Sequence, residues 1–193
     1  QSPVKYIHAG IGDTLSNYTA LKDWDTAVQR GKDSKNDLAY LISKTAFDIM
    51  INSKFDKIDQ QFIETLVQSL VLSGIAMEIA GTSRPCSGGE HLFSHALDFY
   101  YTKNNLHGLQ VALGTIVMAK LYGIEYKFMI DFLKKYGVNI NPIALDISLE
   151  EFVFCLEKAP EMRPERYTLL NEVLFHNRKD FEILYRDLIN ELS

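Results

Sequence analysis

Apolar residues recur along most of this chain at three- and four-residue intervals. Between Gln60 and Ala80 they fall at Phe62, Ile63, Leu66, Val67, Leu70, Val71, Gly74, Ile75 and Ile79, a stripe that predicts a helix of about five turns. Asp59 stands where an N-cap would, and Gly81 where a left-handed residue would end the helix. Gly108–Tyr122 reads the same way and closes at Gly123. The pattern predicts further helices over Asp13–Val28, Asn36–Asn52, Ser87–Tyr101, Glu125–Tyr136, Ser148–Lys158, Arg166–Phe175 and Lys179–Leu192. Ser148 with Glu151 three residues on makes a capping box, and Pro164 after Arg163 sits where a proline opens a helix. Only Val4–Ile7 and Val138–Ile140 read as extended. Loops are expected at Arg30–Lys35, Gly81–Ser87, Lys103–Asn105, Gly137–Pro142 and Ala159–Pro164. With no fixed repeat and no low-complexity linker, residues 1–193 are expected to form one all-α domain of eight or nine helices.

Composition narrows the classes without naming a function. A chain of 193 residues, 47% hydrophobic and 23% charged, can bury a sizeable core and is not of disordered type. A net charge of −5 with no basic cluster argues against nucleic acid or an anionic membrane as partner. The longest apolar stretch, Leu70–Ala80, is interrupted by Ser73, Gly74 and Glu78, so no membrane insertion is expected. Gln1–Asp13 has neither the basic start nor the apolar centre of a signal peptide. Two cysteines, Cys86 and Cys155, are too few for a disulfide framework, and a reduced cytoplasmic setting follows.

Chemistry concentrates in two places. His91 and His95, four residues apart, share one face of a helix, which is one way to present a metal; a satisfied core histidine beside an exposed one is the other reading. His107 opens the next helix. The loop from Gly81 to Glu90 gathers glycines, Thr82, Ser83, Arg84 and Ser87 ahead of a helix start, a set suited to a phosphate, a carboxylate or a sugar hydroxyl, or simply to turns. Near the start, Gly10-Ile-Gly12 lacks the third glycine of a dinucleotide fingerprint, with Leu15 in its place, and has no strand of useful length before it. Asp13 on its own reads as an N-cap. No serine lies in a G-x-S-x-G elbow, and neither cysteine has a histidine directly beside it in sequence.

Four blocks, in order over about residues 6–170, resemble one family. Gly10-Ile-Gly-Asp-Thr-Leu-Ser-Asn-Tyr-Thr-Ala-Leu-Lys-Asp-Trp24 is similar to the opening of the C-terminal domain of glycerol-1-phosphate dehydrogenases. Ser73-Gly-Ile-Ala-Met-Glu-Ile-Ala-Gly-Thr-Ser-Arg-Pro-Cys-Ser-Gly-Gly-Glu-His-Leu-Phe-Ser-His95 resembles their central signature. Leu106-His-Gly-Leu-Gln-Val-Ala-Leu-Gly-Thr115 and Arg163-Pro-Glu-Arg-Tyr-Thr-Leu-Leu170 resemble two later blocks. The wider group is that of iron-containing alcohol dehydrogenase, glycerol dehydrogenase and dehydroquinate synthase. Ser83-Arg-Pro85 and Arg166-Tyr-Thr168 point to the glycerol-1-phosphate branch. Leu109 stands where glutamate commonly follows the His-Gly pair, and Cys86 where a small residue is usual.

The resemblance implies an all-α metal- and substrate-binding domain of the dehydroquinate synthase-like, iron-containing alcohol dehydrogenase C-terminal type. It implies Asp13, His91 and His107 as ligands of a divalent metal, zinc first, with iron or nickel acceptable to the same donors. His95 then becomes a catalytic residue beside the substrate instead of a ligand. Ser83 and Arg84 are expected to meet the phosphate of a small phosphorylated polyol. The implied reaction interconverts glycerol 1-phosphate and dihydroxyacetone phosphate with NAD(H) or NADP(H), whose binding residues belong to an N-terminal nucleotide-binding domain outside these 193 residues. The isolated domain is accordingly expected to be inactive. Two other readings stand beside this one, a dehydroquinate synthase-like lyase or cyclase and a non-catalytic metal-binding helical module. A homo-oligomer is compatible with the sequence and not specified by it.

Overall fold

The computed structural model describes residues 2–173 and 178–193, and among these every regular element is helical. The helices are α1 (Val4–Gln29), α2 (Asp37–Asn52), α3 (Gln60–Ala80), α4 (Gly89–Tyr100), α5 (His107–Tyr122), α6 (Lys127–Lys135), α7 (Leu149–Met162), α8 (Leu170–Val173) and α9 (Arg178–Glu191), with a short 3-10 turn at Arg84–Cys86. Helix ends follow local chemistry. Asn36 and Asp59 accept the third backbone N–H of α2 and α3, and Ser148 with Glu151 forms both bonds of the capping box. Gly81 and Gly123 close α3 and α5 at φ +63°.

Helix α1 is the hub. It packs against α2, α3, α4, α5 and the 3-10 turn. Helix α5 runs through the interior, with every residue from Gln110 to Ala119 buried, which explains why its apolar stripe is wide and its polar face nearly missing. A single large core joins Ile11, Leu15, Phe62, Phe93, Leu113, Met118, Phe152 and Leu188. Met129, Phe132 and Tyr136 are buried in it, and Phe128 is partly buried against it.

Several local expectations are corrected. Val4–Ile7 is the first turn of α1 and not a strand, and Val138–Ile140 is irregular. Asp13 lies in the middle of a 26-residue helix, so it caps nothing. Of the two glycines before it, Gly12 lies against the backbone of α5 at Gly108, and Gly10 against the Leu66 and Leu70 side chains of α3. Helix α7 continues through Pro160 to Met162, since proline's missing N–H costs one bond near a helix end. Pro164 opens a turn instead of a helix, and Arg166–Thr168 is irregular chain before α8. The remainder of the predicted Arg166–Phe175 helix, Leu174 and Phe175, lies outside the described residues.

The stripe on α3 is only half used. Phe62, Leu66, Ser69, Ser73 and Ala76 are buried, whereas Ile63, Val67, Val71, Ile75 and Ile79 face outward. One helix packed on α1 and α2 can bury only one face, and nine apolar positions exceed it. By length and composition alone α3 could also cross a membrane, contrary to the sequence expectation. Its buried face is nonetheless built for polar contact with protein, because the Ser73 hydroxyl accepts from Asn17 Nδ2 at 2.8 Å.

Candidate metal centre

Two helices that cross at backbone contact bring the site together. A Cβ added at Gly12 would sit 2.0 Å from the Gly108 carbonyl oxygen, and one added at Gly108 would sit 2.0 Å from that of Ala9. Glycine is the only residue that permits this approach. Each glycine neighbours a sequence-predicted ligand, Asp13 on α1 and His107 at the first position of α5. Helix α4 supplies His91 from the third side. Asp13, His91 and His107 each offer one donor atom, and all three atoms lie within 4.8 Å of one another.

The donors are arranged for a cation. Asp13 Oδ1 is buried and has no hydrogen-bond partner among the described residues, a cost that a bound positive ion would offset. Burial pushes the Asp13 carboxyl above its ordinary value, and the neighbouring His91 and His107 oppose that rise. Both histidines use Nδ1 elsewhere: His91 Nδ1 donates to Glu90 Oε1 at 3.0 Å, and His107 Nδ1 lies 3.0 Å from Ser94 Oγ. Nε2 is therefore the free nitrogen of each ring. An oxygen and two imidazole nitrogens suit zinc, iron or nickel.

His95 lies beside these groups, its ring stacked on His107 with centroids 5.7 Å apart and 6.3 Å from that of His91. Partial burial, then His91, His107 and Arg163, lower its pKa to about 4. Between that value and the ordinary 6.5 the unfolded chain binds a proton that the folded chain refuses, so His95 withdraws stability as pH falls through this window. In the metal-free protein, His95→Gln should lose less thermal stability than wild type on going from pH 7 to pH 5. Equal drops in both melting temperatures would disprove it.

A cavity of about 350 Å³ joins these groups to the Gly81–Glu90 loop. Asp13, His91, His95 and His107 line one part; Ser83, Ser87 and Arg163 line another, with Leu70, Gly74 and Met77 of α3 as an apolar wall. Ser83 lines the cavity. Arg84 does not line the cavity: it is buried, its Nε donates to Asp33 Oδ2 at 2.6 Å and its Nη1 to the Tyr167 carbonyl at 2.7 Å. Arg166 is likewise committed, to the Ser87 carbonyl and hydroxyl at 2.7 Å and to the Ser83 hydroxyl at 2.8 Å. Burial, with Arg163 and Arg84 nearby, lowers the Arg166 pKa to about 10. These two arginines tie the serine-rich loop to the Arg163–Thr168 segment. Cys86 also lines the cavity, but burial pushes its thiol up to about 11, which removes it as a nucleophile near neutral pH.

Arg163 and Glu90 are residues that sequence reasoning did not single out. Three arginines fall in the matching blocks, and residue type cannot say which faces the cavity. Glu90 precedes a histidine in the E-H-x-x-S-H motif, and that adjacency is the one signal it carried.

Among curated proteins, the chain is similar to glycerol-1-phosphate dehydrogenase (NAD(P)+) of Thermococcus kodakarensis, at 40% identity over 173 residues, 89% of this chain and 49% of that protein. Its similarity to the enzyme of the same name from Pyrococcus horikoshii is 42% over 173 residues, 89% of this chain and 50% of the relative. The Saccharolobus islandicus enzyme is 42% identical over 176 residues, again 89% of this chain and 49% of the relative. The chain spans about half the length of the curated relatives it matches. No family model matches it.

Proposed function

We propose that this chain is the metal- and substrate-binding half of an NAD(P)-dependent glycerol-1-phosphate dehydrogenase, a cytoplasmic enzyme acting on a small phosphorylated polyol. One observation carries the reading. A single cavity holds a two-histidine, one-carboxylate cluster with an orphaned oxygen and, in the same space, a guanidinium flanked by serine hydroxyls. A substrate with a hydroxyl or carbonyl close to a phosphate matches both groups. The named relatives favour this over a lyase or cyclase.

Each residue then has a physical task. Asp13, His91 and His107 would hold a divalent ion, zinc first, which supplies Lewis acidity that lowers the pKa of a substrate hydroxyl and polarises the corresponding carbonyl. His95, neutral near pH 7, offers a ring nitrogen to accept or pass on the proton of that hydroxyl. Arg163 and the Ser83 hydroxyl, whose Oγ accepts from Arg163 Nη1 at 3.4 Å, bind and orient the phosphate. Arg84 supports Ser83 through the loop instead of touching phosphate. Leu70 and Met77 exclude water from one wall. NAD(P)(H) is the hydride partner, bound mainly by residues outside this chain.

The test is turnover of dihydroxyacetone phosphate with NADH or NADPH by the gene product that carries this chain. Arg163→Ala should raise KM for the phosphorylated substrate about ten- to hundredfold, the worth of one charge-assisted hydrogen bond, with metal content unchanged. Turnover of an unphosphorylated polyol alone, or an unchanged KM in the variant, would defeat the phosphate assignment.

A further inference from the structure

Glu90 is fully buried, yet among the described residues no lysine or arginine hydrogen-bonds to it. Its Oε1 accepts from the Gly88 N–H at 2.5 Å and from His91 Nδ1–H at 3.0 Å, and its Oε2 accepts from the Thr19 hydroxyl at 2.9 Å. Beside it lies a second fully buried acid, Asp23, whose Oδ1 accepts from the Tyr122 hydroxyl and the Leu169 N–H and whose Oδ2 accepts from the Gly89 N–H. Burying a carboxylate without a counter-charge is costly. Here neutral donors hold both acids; the Arg166 guanidinium feels the Glu90 charge without hydrogen-bonding to it, and the hydrogen-bonded route from Glu90 to the metal centre runs through the His91 ring.

The backbone around Glu90 is fixed as tightly as its side chain. A Cβ on Gly114 of α5 would come within 2.8 Å of the Glu90 carbonyl oxygen, so α4 and α5 meet there at backbone contact. Thr19 sits on α1 six residues after Asp13, on the same helix. The chain of contacts Thr19–Glu90–His91 therefore runs from the helix that carries one predicted ligand to the side chain of another.

We propose that Glu90 is a positioning residue for the metal centre: held by Thr19 and Gly88, it keeps the proton of His91 on Nδ1, aims Nε2 at the cation and strengthens that nitrogen as a donor. The inference rests on the assignment of Asp13, His91 and His107 as ligands. A carboxylate behind a ligating imidazole typically accounts for about ten- to hundredfold in metal affinity.

Glu90→Gln keeps the shape and an acceptor while removing the charge. Zinc affinity of the 193-residue chain is read by chelator competition, beside the melting temperature of the metal-free protein and the visible spectrum of the cobalt form. The expected result is about ten- to hundredfold weaker zinc binding and a shifted cobalt spectrum, with the metal-free melting temperature nearly kept. Thr19→Val, which frees Oε2, should weaken zinc severalfold and decides the matter if the glutamine variant does not fold. Zinc affinity within twofold of wild type in a folded Glu90→Gln, or in a folded Thr19→Val should the former not fold, overturns the proposal. A wild-type chain that binds no stoichiometric zinc would instead overturn the ligand assignment on which the proposal rests.

Discussion

Asp13→Ala is expected to abolish stoichiometric divalent-metal binding, and His107→Ala to do the same. Each removes one of three protein donors, and the loss should exceed the roughly hundredfold at the upper end of what a supporting residue contributes. The two variants differ in what they do to the metal-free chain. Asp13 Oδ1 is buried without a partner, so alanine relieves an uncompensated polar atom and the metal-free melting temperature should hold or rise. His107 gives up its contact with Ser94 at the part-exposed start of α5, and little stability should follow it. Zinc content after dialysis, measured beside melting with and without zinc, reads both effects. Wild-type zinc content in either variant would refute the ligand set.

Gly12→Ala should be among the most damaging single substitutions in the chain. The added methyl would overlap the Gly108 carbonyl at 2.0 Å and press on Ala112 Cβ at 3.0 Å. Overpacking usually costs about 1–3 kcal/mol, and here the obstacle is backbone in the most buried helix, so about 3 kcal/mol or more is expected. Alanine's helix propensity returns only about 1 kcal/mol of this. The net loss of about 2 kcal/mol or more is, in a chain of this size, a fall of at least about 4–8 °C in melting temperature. Zinc affinity should fall as well, because the helices that carry Asp13 and His107 must separate. Gly10→Ala is the contrast. Its methyl meets the end of the Leu70 side chain at 3.3 Å, which can give way, so stability should change by less than about 1 kcal/mol. A Gly12→Ala variant melting within 2 °C of wild type would show that the crossing is not set by this contact.

Much of the helical frame was legible because it obeys local rules. Apolar periodicity located α2, α3 and α5, and Asp59, Gly81, Gly123 and Ser148 marked ends by side-chain or backbone chemistry that involves only a few neighbouring residues. The start of α1 was not legible. Gly10 and Gly12 lower helix propensity, and the reason Gly12 is needed, the backbone of α5 lying against it, is about a hundred residues away in sequence. The site divides in the same way. HxxxH puts His91 and His95 on one face, but spacing alone cannot say which ring meets Asp13; the resemblance separated them, and the geometry groups Asp13 with His91 and His107. Arg84 and Arg163 could not be told apart, because Arg84 is claimed by Asp33, 51 residues distant. Glu90 was invisible for the same reason, since its meaning depends on Thr19 across the helix interface.

The uneven depth of the three donors has a kinetic consequence. Asp13 stands at the middle of the longest helix, and only 15% of the His91 side chain is exposed, backed by a buried acid; His107 sits on the first residue of its helix with 41% of its side chain exposed. All three donors are nonetheless held by packed backbone, since Gly108, next to His107, lies against α1. The exposed ring of His107 would therefore be the side from which an ion or a chelator reaches the cluster, and exchange would depend on access past that ring instead of on unwinding of α5.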